Sequence, residues 1–115
     1  MRDGVFLAST RRFVFDVTGP PGSGEWVVAT RFYLLSRDGR FHRGWGLPSV
    51  PGGDVAAFDF AAVEAEDPYN TGRYTADGDV LVLAAVTGDE EQCTVTGDAL
   101  LAEQLRFELA VPGRT

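Results

Sequence analysis

Phe41, Arg43 and Trp45, spaced two apart, are the strongest chemical signal in the chain. Alternation along an extended strand sends all three to one face, and a guanidinium among inward-facing aromatics is costly unless an acid meets it. If Asp38-Gly39 forms a two-residue hairpin turn, positions summing to 77 face each other. Phe32 then lies opposite Trp45, Leu34 opposite Arg43 and Ser36 opposite Phe41. That face reads Trp26, Val28, Thr30, Phe32, Leu34, Phe41, Arg43, Trp45, apolar and neutral apart from one arginine. A three-residue turn with a bulge changes the cross-strand partners but keeps Phe41, Arg43 and Trp45 together. The chemistry on offer is bidentate capture of a ligand carboxylate or phosphate by Arg43, with Phe41, Trp45, Phe32 and Leu34 as an apolar wall. The competing outcome is that Arg43 pairs with a protein carboxylate such as Asp16 or Glu108, or reaches the rim.

Other chemistries find little support. All ten basic residues are arginine, so Schiff-base chemistry and a P-loop lysine are excluded. Gly19-Pro20-Pro21-Gly22-Ser23-Gly24 is therefore read as a connecting loop. His42 is the single histidine and alternates to the face opposite Arg43, as a surface residue outside any multi-histidine metal site. Cys93 is the single cysteine, which excludes an internal disulfide; with no basic neighbour in sequence it reads as a small core residue and not a nucleophile. Asp77 and Asp79 flank a turn glycine without the spacing of a calcium loop, and no G-x-S-x-G elbow occurs. No metal, cofactor or catalytic constellation is expected.

Charge narrows the partners. Residues 1–43 hold seven arginines against four acids, whereas residues 44–115 hold three against thirteen, for a net charge of −7. An acidic balance argues against nucleic acid or an anionic membrane as partner. The 115 residues suit one domain with a single core. The apolar runs are too short for a signal peptide or a bilayer span, so a cytoplasmic protein is expected.

The elements that position these residues are strands. Phe13, Phe15 and Val17 alternate with Val14, Asp16 and Thr18, and Leu105, Phe107, Leu109 and Val111 alternate with Arg106, Glu108 and Ala110. The pattern predicts strands near 4–8, 12–18, 26–36, 40–46, 72–76, 79–86, 91–97 and 104–111, with 98–102 as a short extension. The phrase T-x-x-G-D-x-L occurs twice, at Thr75–Leu81 and Thr94–Leu100. Each copy predicts strand, tight turn and strand, with Gly78 and Gly97 at positive φ. One stretch breaks the rhythm: Asp54 is a suitable N-cap for a helix over 54–66, with Val55, Phe58, Ala62 and Val63 on one side and Asp67-Pro68 as the stop. Gly24-Glu25-Trp26 matches a G-x-W motif but follows a complete predicted strand and a proline loop, so Trp26 is read as an ordinary core or rim aromatic.

Gly72-Arg73-Tyr74-Thr75-Ala76-Asp77-Gly78-Asp79-Val80-Leu81-Val82-Leu83 resembles the G-x-Y-x-x-x-G-D-x-L-x-L hairpin of bacterial lipocalin-like, calycin-type small β-barrels. Tyr33–Phe41 is similar to their other recurrent strand-turn-strand, and the likeness spans roughly residues 30–109. The resemblance implies an up-and-down barrel able to admit a small apolar ligand, and it transfers no catalytic residue. The expectation is an all-β, antiparallel meander closing into a lipocalin-like barrel over residues 1–115, with one short helix. Its expected function is binding of a hydrophobic or carboxylate-bearing small molecule. The alternatives are a filled barrel serving as a structural or protein-interaction domain, and a barrel cyclase or isomerase. An unclosed edge between the first and last strands would invite a homodimer.

Overall fold

The computed structural model describes residues 4–46, 48 and 55–112, the side chains of residues 9–13, 56, 111 and 112 excepted. Eight antiparallel strands close into a barrel in which every strand neighbours the next in sequence and the last returns to the first. They are β1 (Gly4–Phe15), β2 (Gly24–Leu35), β3 (Arg40–Trp45), β4 (Thr71–Asp77), β5 (Val80–Ala85), β6 (Glu90–Thr96), β7 (Ala99–Ala102) and β8 (Leu105–Pro112). Closure removes the sheet edge that would have invited pairing between first and last strands. No helix among the described residues is long and apolar enough to cross a membrane.

Both glycine phrases form two-residue turns. Asp77 pairs with Val80 and Thr96 with Ala99, with Gly78 and Gly97 at φ 61° and 58°. Glycine in the first turn position at positive φ matches a type II′ turn, whose twist suits the flanking strands. Residues 98–102, expected as an extension, supply the full strand β7.

The two strands predicted at 4–8 and 12–18 are one. Ser9-Thr10-Arg11-Arg12 contains no glycine or proline, and β1 pairs with β2 without a break from Gly4↔Leu35 to Phe15↔Gly24. The proline-glycine stretch connects β1 to β2 as expected, held by Asp16 N–H donating to the Ser23 carbonyl at 2.9 Å.

The helix is shorter and starts later than predicted. Residues Val55–Ala57 form a 3-10 turn, and α1 covers Phe60–Glu66. Its N-cap is Asp59, whose carboxylate accepts the Ala62 N–H at 3.0 Å. Asp54 lies outside the described residues. Phe60, not Ala62, is the buried helix residue, because α1 lies against the outside of the barrel.

Two apolar clusters result. Inside the barrel pack Phe6, Tyr33, Leu35, Phe41, Tyr74, Leu81, Leu83, Cys93, Leu100 and Phe107. Outside, Val5, Phe32 and Leu34 are covered by Val55 and Phe60. β2 is therefore buried on both faces over its second half.

Candidate functional site

The β2–β3 hairpin has a three-residue loop, which moves the register by one. Ser36 N–H donates to the Arg40 carbonyl at 2.9 Å, Gly39 stands at φ 90°, and the pairs are Leu35↔Phe41, Tyr33↔Arg43 and Arg31↔Trp45. This is the bulged-turn geometry. Phe41, Arg43 and Trp45 share the interior face, but their cross-strand partners are Leu35, Tyr33 and Arg31. Phe32 and Leu34 project to the opposite face, into the outer cluster. They do not join Arg43, since a shift of one residue exchanges the faces of a whole strand. Trp26 falls on that outer parity too and is 62% exposed, so of the core or rim positions expected for it the core is excluded, and it does not share the face of Arg43.

Arg43 meets an acid that the sequence reading did not name. Its Nη1 donates to Glu91 Oε1 at 2.6 Å, its Nε to Asn70 Oδ1 at 3.1 Å and its Nη2 to the Tyr69 carbonyl at 3.0 Å. The guanidinium also lies 5.5 Å from the Phe41 ring centroid. Asp16 and Glu108 are elsewhere: Asp16 accepts from Thr18 in the β1–β2 loop, and Glu108 accepts from Arg106. Those Thr18 bonds also hold the Asp16 carboxyl below its ordinary range. Glu91 sits on β6 in step with Cys93 and Val95, two inward residues, so its parity was the signal that could have found it.

Around this pair lies a polar layer. Tyr33 Oη donates to Glu91 Oε2 at 2.7 Å. Burial first, and then that bond, push the phenol far above its ordinary value, so it stays protonated. Burial and the neighbouring Glu91 raise the Cys93 thiol to about 12, against the opposing influence of Arg43, which makes it inert as a nucleophile.

Arg31 extends the layer to the barrel end. It pairs with Glu103, and its guanidinium carbon stands 5.0 Å from the Trp45 ring and 6.0 Å from the Phe107 ring. The bond between them raises the Arg31 pKa and lowers that of Glu103. The Arg31 Nε is buried without a hydrogen-bond partner among the described residues. Glu103 and Gln104 form the β7–β8 turn with φ 51° and 64°, two non-glycine residues where a type I′ turn favours Asn-Gly. Glu103, the partner of Arg31, is thus held at a backbone cost.

His42 is not an open surface residue. Its Nδ1 lies 2.9 Å from Thr71 Oγ1, and its ring stacks on Phe58 at 5.8 Å and tilts against Phe32 at 5.4 Å. Burial lowers its pKa, opposed by Asp67. No group of metal-ligating residues assembles among the described residues.

The fold and this layer define a closed, eight-stranded antiparallel barrel with a charged, aromatic end. No protein family model matches the chain, no curated protein is significantly similar to it, and no solved structure matches it.

Proposed function

We propose that this protein is a lipocalin-like small-molecule-binding barrel whose ligand is apolar and carries a carboxylate. The ligand enters beside Arg31, Trp45 and Glu103. The observation that supports this most is the buried Arg31 Nε without a hydrogen-bond partner among the described residues, because leaving such a donor unsatisfied costs roughly 1–3 kcal/mol. A ligand carboxylate would take Nε and Nη2 together, the side-on fork of the guanidinium. Glu103 sits on the neighbouring Nη1, where its carboxylate, on a side chain 46% exposed, balances the guanidinium without covering Nε. Arg43 becomes a support and not the anchor, since Nε, Nη1 and Nη2 all have protein partners. Trp45, 57% exposed, provides the apolar lip.

The test is fluorescence titration in a Trp26→Phe background, where Trp45 is the only tryptophan. Decanoic and 3-phenylpropionic acids should quench it saturably, and the matched alcohols should bind less. Arg31→Met should weaken the acids alone, while Glu103→Gln, by removing a like charge beside the ligand carboxylate, should tighten them. Quenching that never saturates, or equal loss for acids and alcohols, would refute the reading. The filled-barrel alternative draws on the stack of Phe6, Phe41, Leu81, Leu83, Leu100 and Phe107 through the interior, and a silent titration selects it.

A further inference from the structure

Arg40 and Arg73 are direct cross-strand partners where β3 meets β4. Phe41 points into the barrel, so Arg40 beside it and Arg73 opposite Arg40 point outward. Cβ atoms of such partners lie about 4.5–5.5 Å apart, and like charges at that spacing repel. The chain holds 17 acids against 10 arginines, so counter-ions are plentiful. Neither arginine is well served by them. Arg40 Nε stands 3.6 Å from Asp38 Oδ2, a loose contact between side chains 40% and 65% exposed. Arg73 joins no ion pair among the described residues.

The two guanidiniums border a groove of about 390 Å³ between α1 and the outer face of β3, β4 and β5. Its apolar side is made by Phe60 of α1 with Ala84 and Val86. The frame is rigid. α1 packs on β3 and β4, and the Val86 N–H donates to the Thr71 carbonyl at 3.0 Å. At the floor, a Cβ on Gly72 would collide with the Ala84 carbonyl oxygen, so glycine is what lets β4 and β5 approach there. Val55, which leads toward the helix, belongs to the cluster over β1 and β2, whereas the groove opens over β3 to β5. Glu64 is the one acid among the lining residues, and it forms an ion pair with neither arginine.

We infer that this groove binds a small phosphomonoester carrying an aromatic or short alkyl group. A phosphate ester near neutral pH bears about −1.5 to −2 charges and three acceptor oxygens. It answers both guanidiniums at once and turns their repulsion into two charge-assisted contacts. A monocarboxylate brings one charge and leaves the second arginine unbalanced. The organic group lies on Phe60, Ala84 and Val86, and the volume, near the lower end of the roughly 300–1,000 Å³ of small-ligand sites, suits a single ring. Glu64 sets a like charge beside the phosphate and limits its affinity. The groove shares no residue with the barrel end formed by Arg31, Trp45 and Glu103.

Isothermal titration calorimetry of the full chain with phenyl phosphate tests this, with inorganic phosphate, benzoate and phenol for comparison. Phenyl phosphate should saturate one site. The other three should each bind at least about fivefold more weakly, since they lack the ring, the second charge or all charge. Arg40→Gln and Arg73→Gln should each weaken phenyl phosphate roughly tenfold or more, and Glu64→Gln should tighten it. Arg73→Gln should not lower the Tm of the ligand-free protein, because it relieves a like-charge pair. In two-dimensional NMR spectra, phenyl phosphate should shift the Nε–Hε signals of Arg40 and Arg73 and leave that of Arg31 in place. Quenching of Trp45 by decanoic acid should be untouched by Arg73→Gln, so the two sites stand or fall separately. Heats that do not saturate below about 10 mM, phenyl phosphate no tighter than inorganic phosphate, or an affinity that Arg73→Gln leaves intact overturns the inference.

Discussion

Replacing Arg43 by methionine removes one half of an ion pair whose two side chains are each 17% exposed. Glu91 keeps its bond from Tyr33 but loses its counter-charge, and Asn70 and the Tyr69 carbonyl each lose a donor. Breaking a fully buried pair costs about 3–5 kcal/mol; the residual exposure of both partners brings this to about 2–3 kcal/mol. At roughly 4 °C per kcal/mol for a domain of this size, Tm should fall by about 8–12 °C. Glu91→Leu should cost a similar amount by stranding the guanidinium. The double substitution leaves no unpaired charge, so it should cost about 1.5–2 kcal/mol less than the two single effects added together. Urea denaturation of the four proteins closes the cycle. Additivity within about 0.5 kcal/mol would show that the pair is not an energetic unit, and the account of the polar layer would fail.

Further outcomes can be checked independently. His42 is held neutral by burial, so the unfolded chain binds the proton more readily; stability should fall as pH drops from about 7 toward the lowered folded pKa, and His42→Gln should remove that part of the slope in pH-dependent urea midpoints. The Cys93 thiol should resist alkylation at pH 8 in the native protein and react at the rate of global opening; rapid native labelling would contradict its burial. Gln104→Gly should raise stability by roughly 0.5–1 kcal/mol, seen as a higher Tm, because its φ of 64° suits glycine better than glutamine.

The meander was legible because glycine turns and period-two alternation are local. Gly78 and Gly97 occupy the turn positions their motif required. The register of β2 was not legible for a physical reason: Trp26, Val28, Phe32 and Leu34 are apolar on one parity, and Val27, Ala29, Tyr33 and Leu35 on the other. Val55 and Phe60 cover the outer face of the second half of this strand, and a strand buried on both sides loses its alternation. Arg43 was identifiable as an inward charge from its own strand, but its partner lies 48 positions away and depended on three intervening connections. The Glu103-Gln104 turn contains neither glycine nor asparagine, so nothing local announced it.

Seven of the eight strand pairings join neighbours in sequence, and the eighth joins β1 to β8 over four residues with a register shift at Val5/Phe6. Apart from β3 and β4, whose connection runs through α1, the neighbouring strands are joined by short loops and can zip one after another at small loop-closure cost, while the seam must wait for the rest of the sheet to curl. The seam is thus the last contact formed and the first released. Hydrogen exchange would find its protection lowest at Gly4–Leu7, and the barrel would breathe by unhinging there while the meander between remains intact.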